Sequence, residues 1–208
     1  FYQGKLEGEA LVEGEDIRSI DENVLSTKMG YIFQNPFTQI SGVRKTVFEE
    51  IALGLENLGV PKEKMIRRVV EIAELLKIEH LLENDPNRLS GGQRQKVAFA
   101  SIIAMDMDIF VIDEPTSQLD PAGTEGIFEI IRMLKEEGKT IVLVEHKVDL
   151  LAEYADEVIV IGDGTIQAKG PAEEVLSDFS LLEKGAMLQQ AVFLSKELEK
   201  HGITLPHI

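Results

Sequence analysis

LSGGQRQ, residues 89–95, runs without a break into KVAFASIIAM, residues 96–105. A Ser and two Gly at the head of a helical run gather a hydroxyl, backbone N–H groups and the positive end of a helix dipole at one spot. That combination makes an anion site, best suited to phosphate. The usual partner of such a site is a Gly-rich loop ending in Gly-Lys-Ser/Thr, and two stretches imitate one. Gly138-Lys139-Thr140 has Met133 where the first Gly is needed and leads into a strand, whereas a phosphate loop must lead into a helix. Gly42-Val43-Arg44-Lys45-Thr46 lacks the Gly before Lys. Neither qualifies, so the phosphate served by LSGGQ needs another source.

Outward from this stretch the chain alternates helix and strand. IFVID (109–113) and TIVLVEH (140–146) are continuous apolar runs, the pattern of parallel strands buried on both faces. GTEGIFEIIRMLKEEGK (123–139) between them reads as an amphipathic crossover helix closed by Gly138. Upstream, MGYIF (29–33) reads as a strand that passes into a loop at Gln34-Asn35-Pro36. VFEEIALGLENLG (47–59), then Pro61 and apolar residues at Met65, Ile66, Val69, Val70, Ile72, Ala73, Leu75 and Leu76, mark a helical lobe. KLEGEALVEGEDI (5–17) reads as short strands broken by Gly-Glu, and DEVIVIGDGTIQAKG (156–170) as a hairpin turning at Gly162-Asp163-Gly164. Residues 179–208 read as one or two helices ending in GITLPHI.

Composition narrows the function. The 208 residues, 44% hydrophobic, suffice for one substantial α/β domain with an appended lobe. VAFASIIAM (97–105) is far shorter than the roughly 20 residues that span a bilayer. A net charge of −16 disfavours nucleic acid, and Arg67-Arg68 is too small a basic patch to offset it. With zero Cys there is no disulfide framework and no thiolate metal site. The chain opens at Phe1, with neither an initiator Met nor a signal peptide, and reads as a piece that begins within a longer protein.

The chemistry collects at strand ends. Asp113 and Glu114 close the IFVID run, and ligands of open α/β sheets sit beyond the carboxyl ends of strands, so the two acids are placed for Mg²⁺ and for activating water. Alone, such a dipeptide is as often a solvated loop start. Glu145-His146 closes the next strand 33 positions after Asp113, and Gln34 closes the MGYIF strand. SQLD (117–120) follows directly on the acids, and Gly92 precedes Asp113 by 21 positions.

The order Gln34, LSGGQ, VIDEP, SQLD, His146 closely resembles the nucleotide-binding subunit of ATP-binding-cassette (ABC) proteins, from about residue 5 to 170. The resemblance implies a P-loop NTPase-like (RecA-like) α/β core with a parallel sheet, a helical subdomain, a remnant of an antiparallel β subdomain and a C-terminal helical extension. Its expected limits are 1–178 for the nucleotide-binding domain, with 35–88 as the helical subdomain, and 179–208 for the extension. By resemblance Asp113 is the Walker B aspartate that holds Mg²⁺, Glu114 the general base, His146 the switch histidine on the γ-phosphate, and Gln34 the residue linking Mg²⁺ and water to a membrane partner. Ser90, Gly91, Gly92 and Gln93 resemble the signature motif, which acts on ATP held by an opposite subunit, and Asp120 the D-loop aspartate at that seam. Gln118 departs from the small residue common in that loop.

The family's Walker A loop would lie upstream of KLEGEALVEGEDI, so the resemblance implies about forty to fifty further residues before Phe1. Truncation of a full ATPase and a true half-protein both fit. QNPFTQISGVRKTVFEEIALGLENLGVP (34–61), VEHKVDLLAEYADEVIVIGDGTI (144–166) and GITLPHI look like the energy-coupling-factor (ECF) branch, which energises vitamin and metal-ion importers. The implied cofactors are ATP and Mg²⁺. The implied partners are a second ATPase subunit (homo- or heterodimer), a transmembrane coupling subunit and a substrate-binding membrane subunit, with no nucleic acid, at the cytoplasmic face of the membrane. Phe37 and its apolar neighbours are the expected membrane-subunit contacts. Two alternatives are a catalytically silent subunit that only donates its signature motif, and a DNA-repair ATPase. The latter carries long coiled-coil insertions, whereas Gln34 and Ser90 are only 56 positions apart.

Overall fold

The computed structural model describes residues 5, 7–184, 188 and 190–201, and divides into two units, residues 1–143 and 144–208. The first opens with a hairpin, β1 (Leu11–Val12) antiparallel to β2 (Glu15–Asp16). Beside it the Arg18 guanidinium, and then its backbone N–H, hold the Asp16 carboxyl down at about 2. Helix α1 (Glu22–Lys28), capped by Asp21, runs directly into β3 (Met29–Ile32). The stretch expected to be a loop after Gln34 instead forms a single-turn helix, α2 (Pro36–Gln39). The cause is local: the Asn35 side chain accepts from the Phe37 N–H at 3.0 Å, and Pro36 supplies a first-turn residue that has no N–H to satisfy.

The lobe helices α3 (Val47–Asn57) and α4 (Lys62–Leu75) pack on α5 (Gly91–Ile103), which follows the lobe. Thr46 and Glu49 form a reciprocal cap that starts α3, and Pro61 precedes α4 as its spacing predicts. Val47, Ile51, Leu55, Val69, Ile72, Val97 and Phe99 are buried in these three helices. Arg68, half of the basic pair, donates to the Ile103 and Ala104 carbonyls, both at 3.2 Å, and so closes the C-terminal end of α5.

β3 pairs in parallel with β4 (Ile109–Asp113), with Gly30 opposite Phe110 and Ile32 opposite Ile112. Gly30 marks the closest approach of this sheet to α5: a Cβ there would lie 2.4 Å from the Ile102 Cγ2. α6 (Pro121–Glu136) packs Ile127, Phe128, Ile131 and Leu134 inward and ends before Gly138, whose φ of 78° needs glycine. The strand order is β3-β4-β5, with β5 at Thr140–Val144. β5 departs from the expected full burial, since Val142 is 52% exposed. Among the described residues it is the last strand in that order, without the flanking strand that β4 has on each side.

In the second unit α7 (Val148–Tyr154) precedes the antiparallel pair β6 (Glu157–Gly162) and β7 (Thr165–Pro171). Asp163 and Gly164 turn it with φ of 47° and 73°, the two positive angles a tight hairpin requires. α8 (Ala172–Ser177) covers it with Ala172, Val175 and Leu176 against Val158 and Leu181. In the tail a short 3₁₀ helix at Phe179–Lys184 precedes α9 (Gln190–Lys200), while GITLPHI lies outside the described residues.

Candidate functional site

Parallel pairing of β3 with β4 brings two of the candidate strand ends side by side. The Gln34 side-chain amide donates to the Glu114 carboxylate at 2.6 Å, across 80 residues of sequence. One residue earlier on β4, Asp113 accepts at 3.0 Å from the hydroxyl of Tyr31, which projects from the face of β3 opposite to Gly30 and Ile32. Burial, then the hydrogen bond to Asp113 and that carboxylate's charge, push the Tyr31 phenol up, so it stays a donor. Glu114 sits at φ 40°, a left-handed conformation uncommon for a residue with a Cβ, which turns its carboxylate off the strand axis.

Ser90 caps α5, its hydroxyl accepting from the Gln93 N–H at 3.4 Å, while the Gln93 amide oxygen accepts from the Ser90 N–H at 3.0 Å. Added Cβ atoms at Gly91 and Gly92 would meet nothing within 4 Å, so this helix start faces open space. Behind it Arg94 is buried and its guanidinium lies 3.8 Å from the centre of the Phe37 ring.

Asp120 caps α6 by accepting from the Gly123 N–H at 2.7 Å, and Gln118 is exposed beside it. His146 is an exposed residue of the second unit, in the turn after β5, with its backbone N–H on the Glu145 carboxylate at 3.0 Å. The imitation phosphate loops are built for other work. The Lys139 ammonium is held by Asp108 at 2.9 Å and Asp106 at 3.4 Å, which raise its pKa, and Thr140 opens a strand. Thr46 is committed to capping α3, and Arg44 pairs with Glu56.

Sequence reading missed Tyr31 and Arg94. Tyr31 lies in a short apolar run that gives no sign of its hydroxyl's partner, Asp113. Arg94 carried no signal beyond adjacency to LSGGQ.

The sequence profile of the ABC transporter family matches residues 2–117. The chain belongs to the ABC transporter family. An ABC transporter ATP-binding protein of Pyrococcus abyssi is 43% identical over 203 residues, 97% of this chain and 72% of that protein. The energy-coupling factor transporter ATP-binding protein EcfA1 of Bacillus subtilis is 39% identical, over 93% of this chain and 69% of its own length. Among solved structures, CbiO1 of Clostridium perfringens, part of the ABC transporter complex cbiONQ, superposes with a TM-score of 0.74 at 29% identity, covering 86% of this chain and 71% of that one. The fold is thus that of the P-loop NTPase-like ABC ATPases, and the chain is an ABC ATP-binding subunit similar to ECF ATPases. No helix among the described residues of this ABC subunit is long and apolar enough to cross a membrane.

Its donors fit Mg²⁺. Asp113 and Gln34 present carboxylate and amide oxygens, the hard ligands that ion takes. Among the described residues no three His, Cys, Asp or Glu side chains gather to hold a metal alone, so most ligands would come from phosphate and water.

Proposed function

We propose that this chain is the ATP-hydrolysing subunit of an ECF-type importer of vitamins or metal ions, driven by ATP-dependent closure of two such subunits. The observation that carries the reading is the 2.6 Å bond between Gln34 and Glu114. A general base must be held in one orientation to take a proton, and here an amide from a separate strand end holds it. Mg²⁺ at Asp113 would neutralise charge developing on the phosphates. Glu114 would accept the proton of the attacking water, Gln34 would orient that carboxylate, and His146 would face the γ-phosphate. Ser90, Gly91, Gly92 and Gln93 would complete the site of a second subunit, whose ATP their helix start is open to receive, with Asp120 at the seam.

In this reading residues 1–178 are the nucleotide-binding domain and 179–208 an extension. The lobe at 35–88 receives a transmembrane coupling subunit at the cytoplasmic face of the membrane, and a further membrane subunit captures the solute. The relatives' roles, transporter ATP-binding in EcfA1 and membership of cbiONQ in CbiO1, support this assignment. Glu114→Gln in the full chain should lower ATP turnover by about 10²–10⁴-fold while ATP binding survives, as measured by phosphate release and nucleotide titration. Near-normal turnover rejects the assignment.

A further inference from the structure

Arg94 is a costly residue where it stands. Only 6% of it is exposed, and its Nε has no hydrogen-bond partner. A buried guanidinium normally meets a carboxylate, because removing the charge from water is costly unless an opposite charge replaces it. Here its partners are two backbone oxygens and a ring. One terminal nitrogen donates to the carbonyl of Asn87 at 2.8 Å and of Leu89 at 3.3 Å, the segment that delivers Ser90 to the head of α5. The charge lies against Phe37, in the turn of helix that begins two residues after Gln34. Phe37 is 58% exposed, so α2 rests on Arg94 and still offers aromatic surface to a partner. An uncharged side chain would fill this space without the desolvation cost. The arginine does what such a side chain cannot: it bonds both carbonyls and grips an aromatic face at once.

We propose that Arg94 is a positioning residue that fastens the Gln34 loop to the LSGGQ loop of the same subunit, so that displacement of Phe37 by a membrane partner is passed to Ser90, Gly91 and Gly92. The inference rests on the proposed ATPase reading and adds a named mechanical link to it. It requires that Phe37 act through its π face and that Phe37 and Arg94 act as one unit.

The test compares ATP turnover of the transporter complex purified from membranes with that of the ATPase alone, for Phe37→Leu, Phe37→Trp, Arg94→Gln and the Leu/Gln double variant. Phe37→Leu and Arg94→Gln should each reduce stimulation by the membrane subunits about 5-fold or more, the range of a functional coupling. The double variant should be no worse than either single, and Phe37→Trp, which keeps the ring, should retain stimulation. Amide exchange at residues 90–93 should quicken in Phe37→Leu, which removes the ring from the guanidinium but leaves Arg94 and its bonds to the Asn87 and Leu89 carbonyls, and so tests the link even where Arg94→Gln folds poorly. Multiplying defects in the double variant, equal failure of Trp and Leu, or unchanged exchange at 90–93 overturns the proposal. Glu114→Gln, run in the same complex, separates the two claims. If it stops turnover while the Arg94 and Phe37 effects multiply, the link alone falls; if the unmutated complex itself shows no ATP turnover, the ATPase reading falls first.

Discussion

Asp113 and Glu114 are neighbours in sequence, yet each is held from a different place, Asp113 by Tyr31 on β3 and Glu114 by Gln34 just beyond the end of that strand. In the proposed mechanism that division would let one carboxylate stay with a cation while the other takes a proton. A hydroxyl bonded to a metal-binding carboxylate fixes its orientation, and loss of such an outer partner commonly costs 10–100-fold in metal affinity. Tyr31→Phe keeps the ring and its 4.8 Å contact with Phe33 and removes only the hydroxyl. It should raise the Mg²⁺ concentration for half-maximal ATP turnover by about 10-fold, at little cost in thermal stability. An unchanged Mg²⁺ titration would show that Asp113 needs no such anchor. Gln34 and Glu114 were readable because each closes an apolar run. Tyr31 and Arg94 were hidden because their partners, Asp113 and Phe37, lie 82 and 57 positions away by the numbering and no local pattern encodes them.

For whole elements, position depends on how closely β3 can approach α5, and Gly30 sets that distance. A methyl group there would stand 2.4 Å from the Ile102 Cγ2 and 2.9 Å from the Met107 Sδ, so the strand or the helix must give way. Gly30→Ala should therefore destabilise the fold by about 1–3 kcal/mol in urea unfolding, despite the lower conformational freedom of Ala in the unfolded chain. It should also lower turnover, because β3 carries Gln34 to Glu114. A neutral result would show slack between sheet and helix. The longer elements were legible, since α3, α4 and α6 have helical periodicity and β4 is an apolar run stopped by acids and Pro115. α1 and α2 were not, with 7 and 4 residues too few to show a period; their caps, Asp21 and Asn35, were the available signal. β5 shows the limit of the apolar-run rule, which reports composition and carries no information on whether a strand lies at the end of its sheet.

Taken together the 208 residues are strongly acidic, with 37 Asp and Glu against 21 Lys and Arg and a net charge of −16. Where the second subunit is another copy, closure brings two such charges together and electrostatics opposes it. Salt screens that repulsion, the Debye length falling from about 10 Å at 0.1 M to about 3 Å at 1 M. ATP-dependent self-association of the full-length Glu114→Gln variant should thus strengthen several-fold as NaCl rises from about 0.05 to about 0.5 M, read by sedimentation velocity. Nucleic-acid binding has the opposite dependence, because it gains from counterion release and weakens as salt rises. Association that weakens with salt would mean that the closing surfaces pair opposite charges strongly enough to outweigh the overall repulsion, and would move the search for the interface to the basic residues of the first unit.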